Sequence, residues 1–235
     1  MRWYRRMGAE SGGASVRLPF ADRAEAGRSL AERLVPLGLE GAVVLALPRG
    51  GVPVAYEIAE RLGAPLEVLV TRKIGYPPQP ELGVGAVAEG GEPVFDPELL
   101  ARLSLRVSDL EETVRAERAE LERRVRVYRG DRPPPELRGR PVVVVDDGLA
   151  TGGTARAALR AVRRRGPSRL VLAVPVGAAE TVRAMRREAD EVVVLAAPWA
   201  FRAVGQWYRR FEQLSDADVV GLLERRRSAV RGRGR

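Results

Sequence analysis

The sequence predicts an α/β fold on a doubly wound, mainly parallel sheet, and three observations predict it. First, short unbroken apolar runs (residues 42–47, 66–71, 142–146, 170–174 and 192–196) lack the alternation of a half-wetted strand and read as strands buried on both faces. Second, segments with apolar residues at helical spacing separate them, which gives the strand–helix–strand order of a parallel sheet. Third, strand ends run into polar or glycine-rich loops: Pro48-Arg49-Gly50-Gly51, Thr71-Arg72-Lys73 and Asp146 to Thr154. In open α/β sheets, ligands sit beyond the carboxyl ends of the strands.

Taken in order, residues 1–16 are rich in Gly, Ser and Arg without a period and read as a loose leader. A helix follows over Asp22 to Val35, with Ala26, Leu30 and Leu34 on one face and Gly38 after its end. Pro53 opens a second helix that runs to Leu62 and stops at Gly63. Gly75 to Pro80 holds three prolines and reads as a loop, and Gly83 to Ala88 as a third strand. A helical region starts at Asp96. Ser108-Asp109-Leu110-Glu111 has the spacing of a capping box and opens a long helix to about Tyr128. That helix alternates acids and arginines, as a solvated, ion-paired helix does; a homodimer face is the alternative. Residues 129–141 are a Pro-rich linker, and helices are expected over Thr154 to Arg165 and Ala178 to Glu188.

Composition excludes several chemistries. The 235 residues contain no Cys and no His, which removes disulfides, Cys/His zinc sites, cysteine nucleophiles and Ser-His-Asp triads. A metal would have to be a hard cation on carboxylates and substrate phosphates, which points to magnesium. The one lysine is Lys73. The net charge is +9, carried by arginine, the side chain best matched to phosphate. Six of those arginines lie in residues 225–235, which read as a disordered basic tail; setting them aside leaves +3. No apolar run approaches the roughly 20 residues that span a bilayer, so no membrane partner is expected and the cytoplasm is the default location.

The most informative segment is Val142 to Thr154. A four-valine strand ends in Asp146 and Asp147, followed by Gly148-Leu149-Ala150-Thr151-Gly152-Gly153-Thr154 and a helix. Gly152 and Gly153 tolerate unusual dihedrals and close approach, so the amides of 150–154 can converge on one anion beside a helix N-terminus. The threonine hydroxyls add donors. Paired carboxylates cannot bind phosphate; they suit the vicinal hydroxyls of a ribose, or magnesium. A phosphate cradle beside a diol clamp is a receptor for ribose 5-phosphate. Neither a Gly-Lys-Ser/Thr P-loop nor a dinucleotide Gly-x-Gly-x-x-Gly follows a strand.

Over these residues the sequence resembles the type I phosphoribosyltransferases, whose hallmark is four aliphatic residues, two acids and, after a short gap, Thr-Gly-Gly-Thr. The resemblance implies a small C-terminal hood on the sheet and a domain over 17–224, with the hood at about 197–214. It gives the ribose hydroxyls of 5-phosphoribosyl-1-pyrophosphate (PRPP) to Asp146 and Asp147, the candidate catalytic pair. The rest of the donor site falls to Gly148, Ala150, Thr151, Gly152, Gly153 and Thr154. Pro48 to Gly51 looks like the pyrophosphate loop, with Arg49, Gly50 and Gly51 as its contacts and a non-proline cis peptide expected beside Arg49. Arg72 or Lys73 would reach the pyrophosphate, and the loop from Gly75 to Glu81 would be a mobile lid. Magnesium would be held mainly through PRPP, with Asp146 and Asp147 as the protein's contribution. The branch it resembles most also has Asp22-Arg23 near the start, Arg72-Lys73 after the second strand and a C-terminal aromatic segment.

That segment concentrates five of the chain's twelve aromatics: Trp199, Phe201, Trp207, Tyr208 and Phe211. Trp199 or Phe201 is the candidate to stack on a flat acceptor; a purely structural cluster is the alternative. The implied activity is magnesium-dependent transfer of phosphoribosyl from PRPP to a nucleobase or other nitrogen nucleophile. The rival reading is a non-catalytic PRPP-binding regulator. The Arg-rich tail would suit it, but no DNA-binding helix pair precedes the domain, so nucleic acid is not an expected partner.

Overall fold

The computed structural model describes residues 17–233; the expected leader, 1–16, lies outside them. Its centre is a five-stranded sheet in the order β2-β1-β6-β7-β8, every neighbouring pair parallel. The strands are β1 (Val43–Ala46), β2 (Leu66–Val68), β6 (Pro141–Val145), β7 (Arg169–Val176) and β8 (Glu191–Ala196). The unbroken valine runs are explained by the layers on either side. Val44, Ala46, Val143 and Val145 face α1 (Arg23–Leu34) and α2 (Gly51–Leu62). Val43, Leu45, Val142 and Val144 face α5 (Gly153–Arg163) and α6 (Ala179–Met185). Successive side chains in a strand point to opposite faces, so burial on both faces requires every residue to be apolar. Full burial of each such valine contributes roughly 1.5–3 kcal/mol.

From β1 the chain winds outward through α2 to β2; from β6 it winds the other way through α5 and β7 to α6 and β8. The winding therefore reverses between β1 and β6, and a crevice opens at their carboxyl ends.

Two expectations along the middle of the chain change. The run at 66–71 is divided: β2 ends at Val68, and Thr71 begins β3 (Thr71–Tyr76). The apolar run at Gly83 to Ala88 belongs to β4 (Gln79–Ala88), which pairs antiparallel with β3 and with β5 (Val94–Phe95) in a separate sheet. The proline-rich loop is thus the tip of a hairpin, closed by the Tyr76–Gln79 pair around Pro77 and Pro78. Proline has no N–H to give a ladder, so it is placed where the ladder ends. Ala86 and Ala88 seat this hairpin against Ala157 and Ala161 of α5.

Further on, α3 (Pro97–Arg102) is capped by Asp96, whose carboxylate accepts from Leu99 N at 3.0 Å. The long helix α4 (Glu111–Arg129) is preceded by a 3-10 turn, Val107–Leu110. The polar cap lies ahead of the expected box, at Arg106 rather than Ser108: Asp109 accepts the Arg106 N–H at 2.9 Å.

The basic C-terminus is the largest correction. Residues 225–233 are not a disordered tail but continue α7 (Asp216–Arg233). Val219 and Leu223 are fully buried, in one core cluster with residues of α2, α4 and β2. Arg226 is 2% exposed and donates from Nε to Ala64 O at 2.9 Å, and Arg227 pairs with Glu67 at 3.0 Å. Charge counting suggests a solvated tail, but arginine stems bury well when the head finds a partner. Leu223→Ala should therefore destabilise the fold by about 2–4 kcal/mol. A thermal melt superimposing on wild type would show that α7 does not dock.

Candidate functional site

Parallel pairing puts Val43 to Ala46 in register with Val142 to Val145, and Leu47 N donates to Val145 O at 2.8 Å. The loops after β1 and β6 consequently leave the sheet side by side. They approach so closely that two positions require glycine. A Cβ on Gly51 would lie 2.6 Å from Val145 O, and one on Gly50 would lie 2.0 Å from Asp147 Oδ2. The Pro48–Arg49 peptide is cis, at the position the family resemblance implied.

Asp146 and Asp147 are half-buried in this crevice. Asp146 Oδ1 accepts the Asp147 N–H at 2.8 Å. Asp147 Oδ2 accepts from Arg23 Nε at 2.8 Å, and its backbone oxygen accepts from the Tyr208 hydroxyl at 2.6 Å. Burial, and then the neighbouring Asp147, push the Asp146 carboxyl well above the usual carboxylate range. Burial also raises Asp147, against the lowering effect of Arg23. Tyr208 is raised by burial and then by Asp147, so its hydroxyl stays a donor.

Beyond the acids, Leu149 bridges to Gly177 and the Thr181 hydroxyl donates to Ala150 O at 2.6 Å, which ties the loop to the start of α6. Gly152 adopts φ 74°, the left-handed region that favours glycine, and caps α5 without any side-chain hydrogen bond. No acidic residue stands in the first turn of α5. The amides of that turn have no intrahelical acceptor, and the helix dipole favours an anion there. Thr151, Gly153 and Thr154 line a cavity of about 120 Å³ together with Lys73 of the hairpin.

The remaining expected residues divide. Lys73 stands beside the loop, its Nζ donating to Glu81 O at 2.8 Å. Arg72 points away, paired at 2.6 Å with Glu117 of α4. Arg49 lies 3.8 Å from Asp216 at the start of α7, and the same Asp216 oxygen accepts from Tyr128 at 2.5 Å. Trp199 is 87% exposed and lies outside the aromatic cluster among the described residues. Phe201 stacks on Trp207, ring centroids 6.3 Å apart. The aromatic segment reaches the acids through Tyr208 and through Phe211, whose ring covers Arg23. Arg23, Tyr208 and Asp216 are the site neighbours that motif reading passed over as site residues, because their roles depend on contacts with residues distant in sequence. Asp22-Arg23 did stand out as a feature of the resemblance, and Tyr208 as part of the aromatic cluster.

The raised Asp146 carboxyl has a consequence for stability. A group whose folded pKa lies above its unfolded value contributes fully below the unfolded pKa, and loses that contribution as pH rises through the folded one. Asp146→Asn should accordingly melt at a higher temperature than wild type at pH 7–8, and the gap should close on acidification. A melting temperature below wild type across that range would contradict a strained carboxylate at this position.

Residues 22–206 match the family described as the phosphoribosyl transferase domain. A Mycobacterium tuberculosis (strain H37Rv) protein carrying a phosphoribosyl transferase name is 48% identical over 206 residues, 88% of this chain. The chain spans about half of that relative, 46% of its length. The crystal structure of TT1426 from Thermus thermophilus has 48% sequence identity and a TM-score of 0.74, covering 87% of this chain and 97% of its own. A uracil phosphoribosyltransferase from Lactobacillus gasseri is 41% identical over 64 residues, 27% of this chain and 31% of its own. By the extent of these matches, the chain belongs to the phosphoribosyl transferase family.

Proposed function

We propose that the protein transfers a 5-phosphoribosyl group from PRPP to a nitrogen nucleophile and releases pyrophosphate. The observation that carries this reading is the placement of two carboxylates between a glycine loop and a helix N-terminus with neither a side-chain cap nor an acid in its first turn. The helix end suits the 5′-phosphate, the carboxylates suit the ribose hydroxyls, and the loop suits the pyrophosphate. In that arrangement Thr151, Gly152, Gly153 and Thr154 hold the 5′-phosphate, with Gly148 and Ala150 shaping the approach. Asp146 and Asp147 meet the ribose. Arg49, Gly50 and Gly51 meet the leaving group, with Lys73 approaching from the hairpin. Arg72 would first have to leave Glu117.

The reaction breaks the bond from C1 to the pyrophosphate oxygen and forms a bond from C1 to the acceptor nitrogen, whose proton is lost to solvent or to the leaving group. Charge separation peaks in an oxocarbenium-like transition state, so positioning and charge neutralisation supply most of the acceleration. The chain's contribution is to orient the ribose, to fix both phosphate ends and to screen the crevice from water.

Among the described residues no group of three or more His, Cys, Asp or Glu forms a metal cage. Two hard carboxylates beside a diphosphate site nonetheless fit magnesium, which typically keeps several waters and binds through one or two carboxylates and substrate phosphates. When bound, magnesium would neutralise the departing pyrophosphate. The L. gasseri match supports the donor half of the reading and leaves the acceptor open. Trp199 and Phe201 remain the two candidates to meet an acceptor, the first exposed and the second packed on Trp207. Docking of α7 engages Arg226 with Ala64 O and Arg227 with Glu67, so these two arginines have partners within the fold.

Turnover decides the proposal. With PRPP, Mg²⁺ and a panel of nucleobases and amines, pyrophosphate should be released, and EDTA should stop it. Tight PRPP binding without turnover on any acceptor would favour the regulator instead. The double variant Asp146→Asn, Asp147→Asn should lose PRPP binding in calorimetry; retained binding would refute the donor assignment itself. Gly50→Ala should weaken PRPP by tenfold or more, because its Cβ collides with the Asp147 carboxylate.

A further inference from the structure

One contact at the acids comes from far outside the β6 loop. Arg23 is the first residue of α1. Its Nε donates to Asp147 Oδ2 at 2.8 Å and its Nη1 to the backbone oxygen of Glu212 at 3.0 Å. Its guanidinium carbon lies 3.8 Å from the centroid of the Phe211 ring. The Arg23 and Asp147 side chains are only 11% and 13% exposed, so solvent screens this pair little. Asp147 is thereby wedged between Gly50 on one side and Arg23 on the other. Asp146 differs: its Oδ1 accepts the Asp147 amide. The same seam carries Phe20 N donating to Trp207 O at 2.9 Å and Arg209 N donating to Phe20 O at 2.8 Å. It also carries the ion pair between Arg210 and Asp22.

We propose that Arg23 is a positioning residue which orients the Asp147 carboxylate toward the donor and fastens the Phe211–Glu212 end of the aromatic segment to that same carboxylate. One rigid, planar side chain performs both tasks, because its fork offers separate donors and its face stacks on an aromatic ring. Occupation of the ribose site and closure of the 197–214 segment are in consequence coupled through Arg23, alongside the Tyr208 bond to the Asp147 backbone oxygen. The inference rests on the donor reading above.

Three variants test it, each measured for PRPP affinity by calorimetry and for chymotrypsin cleavage between Trp207 and Phe211 by mass spectrometry. In the wild type, PRPP should slow that cleavage. Arg23→Met loses both tasks: PRPP affinity should fall tenfold or more, and the donor should no longer protect the segment. Arg23→Lys keeps a cation for Asp147 but has neither the fork nor the planar face. Its PRPP affinity should stay within about threefold of wild type while protection is lost. Arg210→Ala cuts the same seam without touching Asp147, so it should speed cleavage and leave PRPP affinity unchanged. Equal PRPP affinity in Arg23→Met and wild type would overturn the proposal. So would full protection in Arg23→Lys, or a loss of affinity in Arg210→Ala matching that of Arg23→Met, which would reduce Arg23 to a general fastening of the seam. Failure of the wild type to bind PRPP would instead count against the donor reading.

Discussion

The parallel pairing of β1 with β6 is the constraint on which the rest of the structure depends. These two strands are neighbours in space yet almost 100 residues apart in sequence, and the chain winds away from them in opposite directions. Their hydrogen-bond register, Val43 with Val142 through Ala46 with Val145, sets the two following loops beside each other. Gly50 and Gly51 are consequences of that register. Each stands where the other loop comes so near that a single methyl group would collide with Asp147 or with the Val145 carbonyl. A slip of one residue would invert which valines face which helical layer, so the hydrophobic effect that buries both faces also fixes the geometry of the crevice.

The crevice is electrostatically costly in the free protein. Two adjacent carboxylates are removed from water side by side, and burial raises both. Arg23 offsets this for Asp147 by a direct ion pair, while Asp146 accepts the Asp147 backbone amide. Strain of this kind is typical of sites arranged for a ligand, because groups placed to meet hydroxyls or a cation are unsatisfied until those arrive. The arrangement is also asymmetric. The two acids are chemically identical in the sequence, and the fold makes them different by giving one an arginine and the other a neighbour of like charge.

Elements distant in sequence frame this crevice. The β3–β4 hairpin leans on the alanine face of α5 and brings Lys73 beside the threonines of the loop. The α7 helix supplies Asp216 to Arg49, with Tyr128 of α4 holding the same oxygen. The aromatic segment is tied down through Tyr208 and Phe211. Three separate stretches of chain thus frame the loops that the strand ends project: α7 and the aromatic segment by polar contacts, the hairpin by apolar packing on α5.

Much of this was legible in the sequence for a local reason. Burial on both faces forces consecutive apolar residues, so the valine runs reveal the strands of the main sheet. An anion site at a strand–helix junction needs glycines and hydroxyls within a few residues, so Asp146 to Thr154 marks where the proposed cradle would lie. Other features were not legible, because they are set by which surfaces meet. The short apolar run of β4 looks like those of the main sheet, yet β4 pairs antiparallel in a second sheet. The arginines of α7 look like a solvated tail, yet Arg226 is buried because a carbonyl and a core stand next to it. Arg72 and Lys73 look equivalent, and strand alternation sends one to α4 and the other to the crevice. The sequence by itself determined the fold class and the chemistry of the β6 loop, since both are written in short-range residue spacing. Only the tertiary structure decided which arginine holds Asp147, which aromatic reaches it and where the C-terminal helix rests, since those depend on packing between segments whose separation no local pattern records.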